Sequence, residues 1–514
     1  MSFFYIRASR DDVLAEISEI LHQIWQFLVE WYWVPISLIY VFVILAILIE
    51  NRKPEKTIAW ILVIVFVPVV GLILYFFFGQ KFNKEKTLSR IDAQQRKQIR
   101  NHWQSISSVN SDNLELISQR IGSFSKVFQY LYHSKSSPSY INSEIEVLIN
   151  GEEKFPLFLE TLRAAKHHIH LEYYIFEFDL IGSQIIEILL EKAAQGVIVR
   201  LIVDDFGSPR LNRKAKTLFK DSLLQYQTFL PVRFSSLANS NYRNHRKIMI
   251  VDSEIAFVGG INISDKYINT QSYHKNNKTY WRDTSLCVRG ESVDMLEFQF
   301  WLSWSMTDGK MYPIENKAYH FPKQAVACPK LVRSVIGFSY SSPGSDVPSA
   351  MESMILAITL AKEKVCITTP YFIPSEEFKL ALLIAVSSGV EVNLILPEKG
   401  DSFIVQQASL SFLKNLMKRG VNVHLYQKGF VHAKTIVVDD KLAFVGTVNL
   451  DNRSFFINFE ISAVFYDEKS IAKLQRQFDA DLLHTKQITY DQWKSISVVS
   501  RAIASLCRLL APLL

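Results

Sequence analysis

Cysteine is scarce. The chain has four in 514 residues (Cys287, Cys328, Cys366 and Cys507), scattered, with no CxxC and no histidines grouped beside them at zinc spacing. That excludes a disulfide framework and a structural metal, and it favours a reducing compartment. Residues 1–30 carry too many acids (Asp11, Asp12, Glu16, Glu19) for a secretory signal peptide. Charge is missing altogether from residues 31–49 and 57–78, runs of 19 and 22 residues. At ~1.5 Å per residue each reaches across a hydrocarbon core of ~30 Å. Neither shows the polar stripe of a soluble core helix, so the pair reads as a two-helix transmembrane hairpin.

The flanks of these runs agree. Trp31, Tyr32, Trp33 and Trp60 lie near the ends, as an interfacial aromatic belt requires, and Pro68 and Gly71 are placed to kink the second span. The short loop holds Arg52, Lys53 and Lys56, whereas the segment after the second span holds Lys81, Lys84, Lys86, Arg90, Arg96 and Lys97. The heavier basic load puts both termini, and everything beyond residue 80, in the cytoplasm at the cell membrane. The formal net charge of +7 suits a phosphate-rich partner, nucleic acid or an anionic membrane surface, without choosing between them.

One stretch occurs twice. Asn244-His245-Arg246-Lys247 leads through an apolar run to Asp252, Gly259 and Asn262; Val431-His432-Ala433-Lys434 leads to Asp439, Gly446 and Asn449. In both copies Lys lies two residues after His, Asp seven, Gly fourteen and Asn seventeen. The four residues between Lys and Asp read as a short strand buried on both faces. Residues i and i+2 of a strand share a face, so His245 pairs with Lys247 and His432 with Lys434. Asp252 and Asp439 complete the catalytic motifs but have the other parity and fall at the turn, so their expected task is to brace it.

The rest of the chain repeats in the same order. Residues 145–148, 168–176 and 197–204 read as strands alternating with helices over 155–165 and 181–194, an α/β pattern. Gly196-Val197-Ile198 has its counterpart in Gly389-Val390-Glu391, and Tyr173-Tyr174-Ile175-Phe176 in Pro370-Tyr371-Phe372-Ile373. The division is an N-terminal membrane segment over 1–80, a polar connector over 81–140, a first half over 141–335, a second half over 336–490 and a basic amphipathic tail over 491–514. In that tail Lys494, Arg501 and Arg508 alternate with Trp493, Ile496, Val499, Ile503, Leu506, Leu509 and Leu510, suiting either a membrane surface or the globular body.

Two such strands meeting across a pseudo-twofold axis would assemble one site with two histidines and two lysines. The lysines, with Asn262 and Asn449, would hold the non-bridging oxygens of a phosphodiester. One imidazole would attack phosphorus while the other handles the alcohol's proton. No metal and no cofactor are needed for this.

The doubled HxKxxxxD followed by GGxN or GTxN resembles the phospholipase D superfamily. With Asn51-Arg52-Lys53-Pro54, Trp281-Arg282-Asp283-Thr284, Thr369-Pro370-Tyr371-Phe372 and Asn449-Leu450-Asp451-Asn452-Arg453-Ser454, the likeness extends to bacterial cardiolipin synthases over nearly everything from residue 31. The resemblance implies two pseudo-symmetric phospholipase D-like α/β halves packed together behind the membrane hairpin. It implies His245 as nucleophile, His432 as general acid/base, and Lys247, Lys434, Asn262 and Asn449 as phosphate ligands. Asp283 and Glu460, 38 and 28 residues after the histidines of their own halves, stand where the superfamily places the carboxylates that orient them. Where the superfamily has serine or threonine after the motif glycine, this chain has Gly260 and Thr447, which puts a hydroxyl role in the first half in question.

The implied reaction joins two phosphatidylglycerol molecules into cardiolipin and glycerol through a phosphohistidine, with phosphatidylglycerol and anionic membrane lipids as partners and no nucleic acid. A phospholipase D-type hydrolase or a phosphatidylserine synthase would use the same residues with another acceptor. A superfamily endonuclease would use them on DNA, which the membrane hairpin disfavours. Other histidines (His167, His168, His274) read as surface or packing residues. Arg453 stays open between a phosphate ligand and an ion-pair partner, and Tyr371 and Phe372 between a lipid groove and the core.

Overall fold

The computed structural model describes residues 10–31, 33–49, 54–75, 79, 110–230, 241–273, 279–308, 332–343, 345, 347–495, 497–509 and 511. Residues 1–80 and 81–514 form two compact units. Cys328, His274, the loop bases Arg52 and Lys53, and the basic segment 81–97 lie outside the described residues.

In the first unit, helices Arg10–Trp31 and Trp33–Ile49 precede Pro54–Phe66 and Pro68–Leu74. The apolar helical stretch Ser18–Ile49 is the one among the described residues long and apolar enough to cross a membrane. The second apolar stretch, expected as one kinked span over 57–78, is instead two short helices. The chain bends at Val67, whose φ of −127° and ψ of 69° leave the helix, and Pro68 opens the next one with no N–H to lose. After the bend Gly71 comes so near Val63 that a Cβ would stand 2.5 Å from the Val63 carbonyl oxygen, an approach only glycine allows. Ile47, Ile64 and Tyr75 form a small apolar cluster with Tyr40, Val43 and Trp60.

The second unit holds two mixed sheets with one topology. In the first the spatial order is Glu144–Ile149, Thr284–Arg289, Ile255–Gly259, Lys247–Val251, His168–Tyr173, Ile198–Asp204, Gln225–Phe229. In the second it is Ser334–Ser341, Glu460–Asp467, Leu442–Gly446, Thr435–Val438, Lys364–Thr368, Glu391–Pro397, Asn422–Tyr426, with Tyr140–Ile141 and Thr485–Ile488 added at the edges. Both motif strands are central in their sheets. Along Lys247–Val251, Ile248 and Ile250 enter a core shared with the second half, while Met249 and Val251 enter a separate core under helices Asn150–Ala164 and Leu180–Ala194. Full burial of each such side chain contributes about 1.5–3 kcal/mol, which fixes the register from both sides. The sheets meet where Ile255–Gly259 and Thr284–Arg289 lie against Leu442–Gly446 and Glu460–Asp467.

Residues 110–133, read in sequence as part of a polar connector with some helix, form helices Asn110–Ile121 and Ser125–His133, and Ile117, Ile121, Phe128 and Leu131 enter the shared core. The tail forms helices Tyr490–Lys494 and Val498–Leu509. The long one packs on helix Phe403–Lys418 through its small face: Ala504 is buried, and Cys507 and Ala511 join a cluster with Ala408 and Val405. Its large side chains, Val498, Val499, Leu506 and Leu509, are exposed. Cys287 and Cys366 are buried and Cys507 is half-buried, all three unpaired.

Candidate active site

Each motif histidine is fixed by the opposite half. The His245 N–H donates to the carbonyl of Phe459 (2.9 Å), the residue before Glu460; the His432 N–H donates to the carbonyl of Arg282 (2.7 Å), the residue before Asp283. Around these bonds short parallel pairings form, Gly429–Val431 with Tyr280–Arg282 and Asn244 with Phe459. Arg282 holds its segment in place by donating from Nε to both carboxylate oxygens of Asp481.

The carboxylates therefore serve across the halves. His432 Nδ1 lies 2.7 Å from Asp283 Oδ2, and His245 Nδ1 lies 3.2 Å from Glu460 Oε1. This corrects the pairing within each half that the sequence spacing suggested: a carboxylate far along the same half is carried to the other side of the interface by its own strand. Lys434 Nζ also lies 2.9 Å from His432 Nδ1. The shorter contact is with a carboxylate, which assigns the ring proton to Nδ1, and Lys434 gives its own hydrogen to the His432 carbonyl. Lys247 likewise donates to the His245 carbonyl. In both rings this leaves Nε2 for the cavity.

That cavity, about 370 Å³, is lined by His245, Lys247, Asn262, His432, Lys434 and Asn449 together. Asn262 is committed on both sides, Oδ1 accepting from the Ile175 N–H (3.2 Å) and Nδ2 donating to the Tyr267 hydroxyl (2.7 Å). Asn449 Oδ1 is buried without a hydrogen-bond partner among the described residues. Asp252 and Asp439, counted with the catalytic motifs in sequence, do not line the cavity. Both stand at the far end of their strands with positive φ (55° and 50°), in turns whose next residue is also left-handed. Asp252 accepts from the N–H groups of Lys166, His167 and His168, and Asp439 from those of Lys362, Glu363 and Lys364. Each thereby ties its hairpin to the start of the neighbouring strand.

Gly260 now has a physical reason. A Cβ there would stand 2.1 Å from Asp283 Oδ1, so any side chain would displace the carboxylate that holds His432. Thr447, its counterpart, accepts from the Ile461 N–H (2.9 Å) and is fully buried, bracing the backbone beside Glu460.

Burial dominates the electrostatics. It pushes the Lys247 ammonium down to about 7 and that of Lys434 to about 8, with the charge of Lys434 adding to the effect on Lys247. It also lowers His245, and with the Lys434 charge beside it takes His432 to about 3. For Asp283 burial acts upward, but Lys434 and His432 outweigh it and the carboxyl ends below its ordinary value. Glu460 follows the same logic with His245 and Lys247. At neutral pH the imidazoles are thus neutral with carboxylates behind them, and an anion beside the two lysines would favour their protonated form.

Several lining residues escaped the sequence reading: Tyr174, Arg243, Lys266, Tyr267, Asp401 and Asn458. The duplication itself carried signals for some. Tyr174 and Tyr371 occupy equivalent positions in the halves, and Lys266 and Arg453 each follow the motif asparagine by four residues. Arg453 lines the cavity with its guanidinium donating to the side chain and carbonyl of Asn241, and Phe372 belongs to the core. A second cluster, His168, His170 and Glu297, is fully buried and has the composition of a metal site. However, His170 Nδ1 is 2.6 Å from Glu297 and Nε2 is 3.0 Å from the Arg200 guanidinium, so Nδ1 donates, the one lone pair on Nε2 is taken, and a cation already stands beside it.

Two sheets of one topology, with a His/Lys pair from each at a common cavity, define a duplicated phospholipase D-like fold. The family described as "Cardiolipin synthase, PLD-like domain" matches residues 158–284 and 354–482, and "Phospholipase_D-nuclease N-terminal" matches 38–80. A cardiolipin synthase of Alkalihalophilus pseudofirmus is 37% identical over 477 residues, covering 92% of each chain. Cardiolipin synthase 1 of Bacillus anthracis is 35% identical over 481 residues, covering 91% of each. The crystal structure of phosphatidylserine synthase from Haemophilus influenzae shares the fold, with a TM-score of 0.57 at 17% identity over 76% of this chain and all of that one. The chain belongs to the cardiolipin synthase family of phospholipase D-like proteins.

Proposed function

We propose that this enzyme is a membrane-bound cardiolipin synthase, a phosphatidyltransferase that joins two phosphatidylglycerol molecules into cardiolipin and releases glycerol. The observation that carries the chemistry is the single cavity lined by both His/Lys pairs. His245 Nε2 attacks the phosphorus of the first lipid, and Lys247 and Lys434, with the amide of Asn449, take the charge on the non-bridging oxygens. Asn262 positions the wall through Ile175 and Tyr267. His432, held by Asp283, protonates the departing glycerol and later accepts the proton of the incoming hydroxyl. Arrival of the phosphodiester favours the protonated lysines and raises His432 from its low value, so the acid forms when the substrate is bound.

The membrane part of the reading is supported by the apolar helix Ser18–Ile49 and by the second apolar stretch, which we read as the return limb of a hairpin with both ends in the cytoplasm. The exposed Val499, Leu506 and Leu509, with Arg508 beside them, suit contact with an anionic bilayer surface. The test is to incubate the pure full-length protein with phosphatidylglycerol, with and without serine or ethanolamine, and identify the lipids formed. Cardiolipin and glycerol in equal amounts support the reading. Phosphatidic acid alone would make the enzyme a hydrolase, and phosphatidylserine would change its acceptor.

A further inference from the structure

The two histidines meet different surroundings. Around His432 stand three aromatic rings, Trp281, Phe430 and Tyr267, at centroid distances of 5.6, 5.8 and 6.0 Å. Over the Trp281 ring, 4.6 Å from its centroid, lies the ammonium of Lys266, which is also 5.7 Å from the Tyr267 ring. Among the described residues no carboxylate comes within ion-pair distance of Lys266. The equivalent cation of the other half, Arg453, is bound to Asn241. Also in the cavity wall is Asp401, which accepts from the Tyr371 hydroxyl at 2.5 Å through one oxygen; its other oxygen accepts from no donor among the described residues.

We propose that Lys266 and the Tyr371–Asp401 pair form the acceptor subsite, Lys266 binding the phosphodiester of the second phosphatidylglycerol and Asp401 a hydroxyl of its glycerol. The proposal rests on the cardiolipin synthase reading and deepens it. An acid/base histidine must face the alcohol it deprotonates, so the acceptor enters on the His432 side. In phosphatidylglycerol only a three-carbon unit separates that terminal hydroxyl from the lipid's own phosphate, so a second anion necessarily comes to rest near the first. Lys247 and Lys434 are occupied by the phosphoryl group in transfer; among the described residues that line the cavity, Lys266 is the cation left on that side. The step itself balances within the site. The acceptor's hydroxyl oxygen bonds to phosphorus, the bond from phosphorus to His245 Nε2 breaks, and the hydroxyl proton passes to His432 Nε2, replacing the one given to the first glycerol.

Lys266 acts on the second half-reaction and not on the first, because the departing glycerol carries no phosphate of its own, which gives the test. Full-length wild type, Lys266→Gln, Lys266→Arg and Asp401→Asn are supplied with phosphatidylglycerol in mixed micelles. Rapid-quench measurement follows formation of the phosphoenzyme, and product analysis gives the ratio of cardiolipin to phosphatidic acid, the product of water attack. Lys266→Gln should form the phosphoenzyme within about twofold of the wild-type rate. Its cardiolipin to phosphatidic acid ratio should fall about tenfold or more, the loss of one charge-assisted hydrogen bond. Lys266→Arg should recover most of the ratio, and Asp401→Asn should lower it less. Equal slowing of both half-reactions in Lys266→Gln would assign Lys266 to the donor, and an unchanged ratio would remove it from the subsite; either overturns the proposal. Phosphatidylserine made by the wild type from added serine, and lost in Lys266→Gln, would reassign the pair to an amino-acid acceptor. If the wild type makes no cardiolipin at all, it is the underlying function that fails.

Discussion

Replacing Asp283 by Asn isolates the consequence of carboxylates that cross between the halves. Asp283 is fully buried, with Oδ2 2.7 Å from His432 Nδ1, and its neighbours Lys434 and His432 keep it ionised despite that burial. An amide has the same shape but forfeits a charge-assisted hydrogen bond worth about 1.5–3 kcal/mol, and it no longer fixes the ring proton on Nδ1. Loss of a general acid/base costs about 10²–10⁴ in rate, so turnover on phosphatidylglycerol should fall about a thousandfold. The informative quantity is which step falls. A phosphatidyl ester of p-nitrophenol needs no protonation of its leaving group; with it, Asp283→Asn should form the adduct on His245 within about tenfold of the wild-type rate and then retain it. Glu460→Gln, which frees His245 instead, should suppress adduct formation with either substrate. The assay is rapid alkaline quenching with quantification of the phosphohistidine. Should Asp283→Asn block the adduct from the activated ester while Glu460→Gln permits it, each carboxylate serves its own half and the reasoning is refuted.

Three further outcomes follow from the same geometry. The kcat/KM for phosphatidylglycerol should decline as pH rises past about 7 to 8, where Lys247 and Lys434 lose their protons in the free enzyme, and its acid limb should lie below 6.5, because the nucleophile His245 must be neutral to attack and burial holds it below its ordinary value. A pH–rate profile in fixed micelles checks both limbs. Lys247→Met should be inactive yet more stable at neutral pH, by about 1–4 kcal/mol, since a buried cation is replaced by an apolar chain of similar length. The sign follows from the lowered pKa: between about 7 and 10.5 the unfolded state binds more protons, so the wild type gains stability across that window. The advantage of the variant is therefore largest below pH 7 and fades toward 10.5, which melting curves in detergent at several pH values can follow. Gly260→Ser, which installs the residue type usual for the superfamily, should cost most of the activity with little change in far-UV circular dichroism, because its Cβ competes with Asp283 Oδ1 for the same space.

Much of this site is legible in the sequence, and the reason is duplication. A His/Lys spacing repeated in register, with Asn at the same remove, fixes strand, parity and candidate chemistry at once. The structure has the two central strands and both histidines at one cavity. The partners that cross the interface were not readable: the link from His432 to Asp283 depends on how the sheets meet, and spacing within one half points to the wrong histidine. The bend at Val67 was visible only as a proline inside an apolar run, since hydropathy scores composition and not the direction of the chain. Residues 110–133 looked like a connector because their apolar positions are diluted by Ser, Gln and Lys, although helical spacing gathers Ile117, Ile121, Phe124 and Phe128 onto the core. Lys266 and Arg453 were within reach, since both follow the motif asparagine by four residues, but a lysine aligned with an arginine does not register as identity.

The central claim is that histidines from opposite halves divide the labour on one phosphorus atom. Its most direct test is to stop the wild-type enzyme in alkali during turnover of phosphatidylglycerol and locate the phosphatidyl group by peptide mass spectrometry. The account predicts a phosphatidyl-histidine at His245, absent in His245→Ala and long-lived in His432→Ala when the activated ester is the donor. An adduct found on His432, or turnover with inversion at phosphorus and no adduct at all, would contradict it.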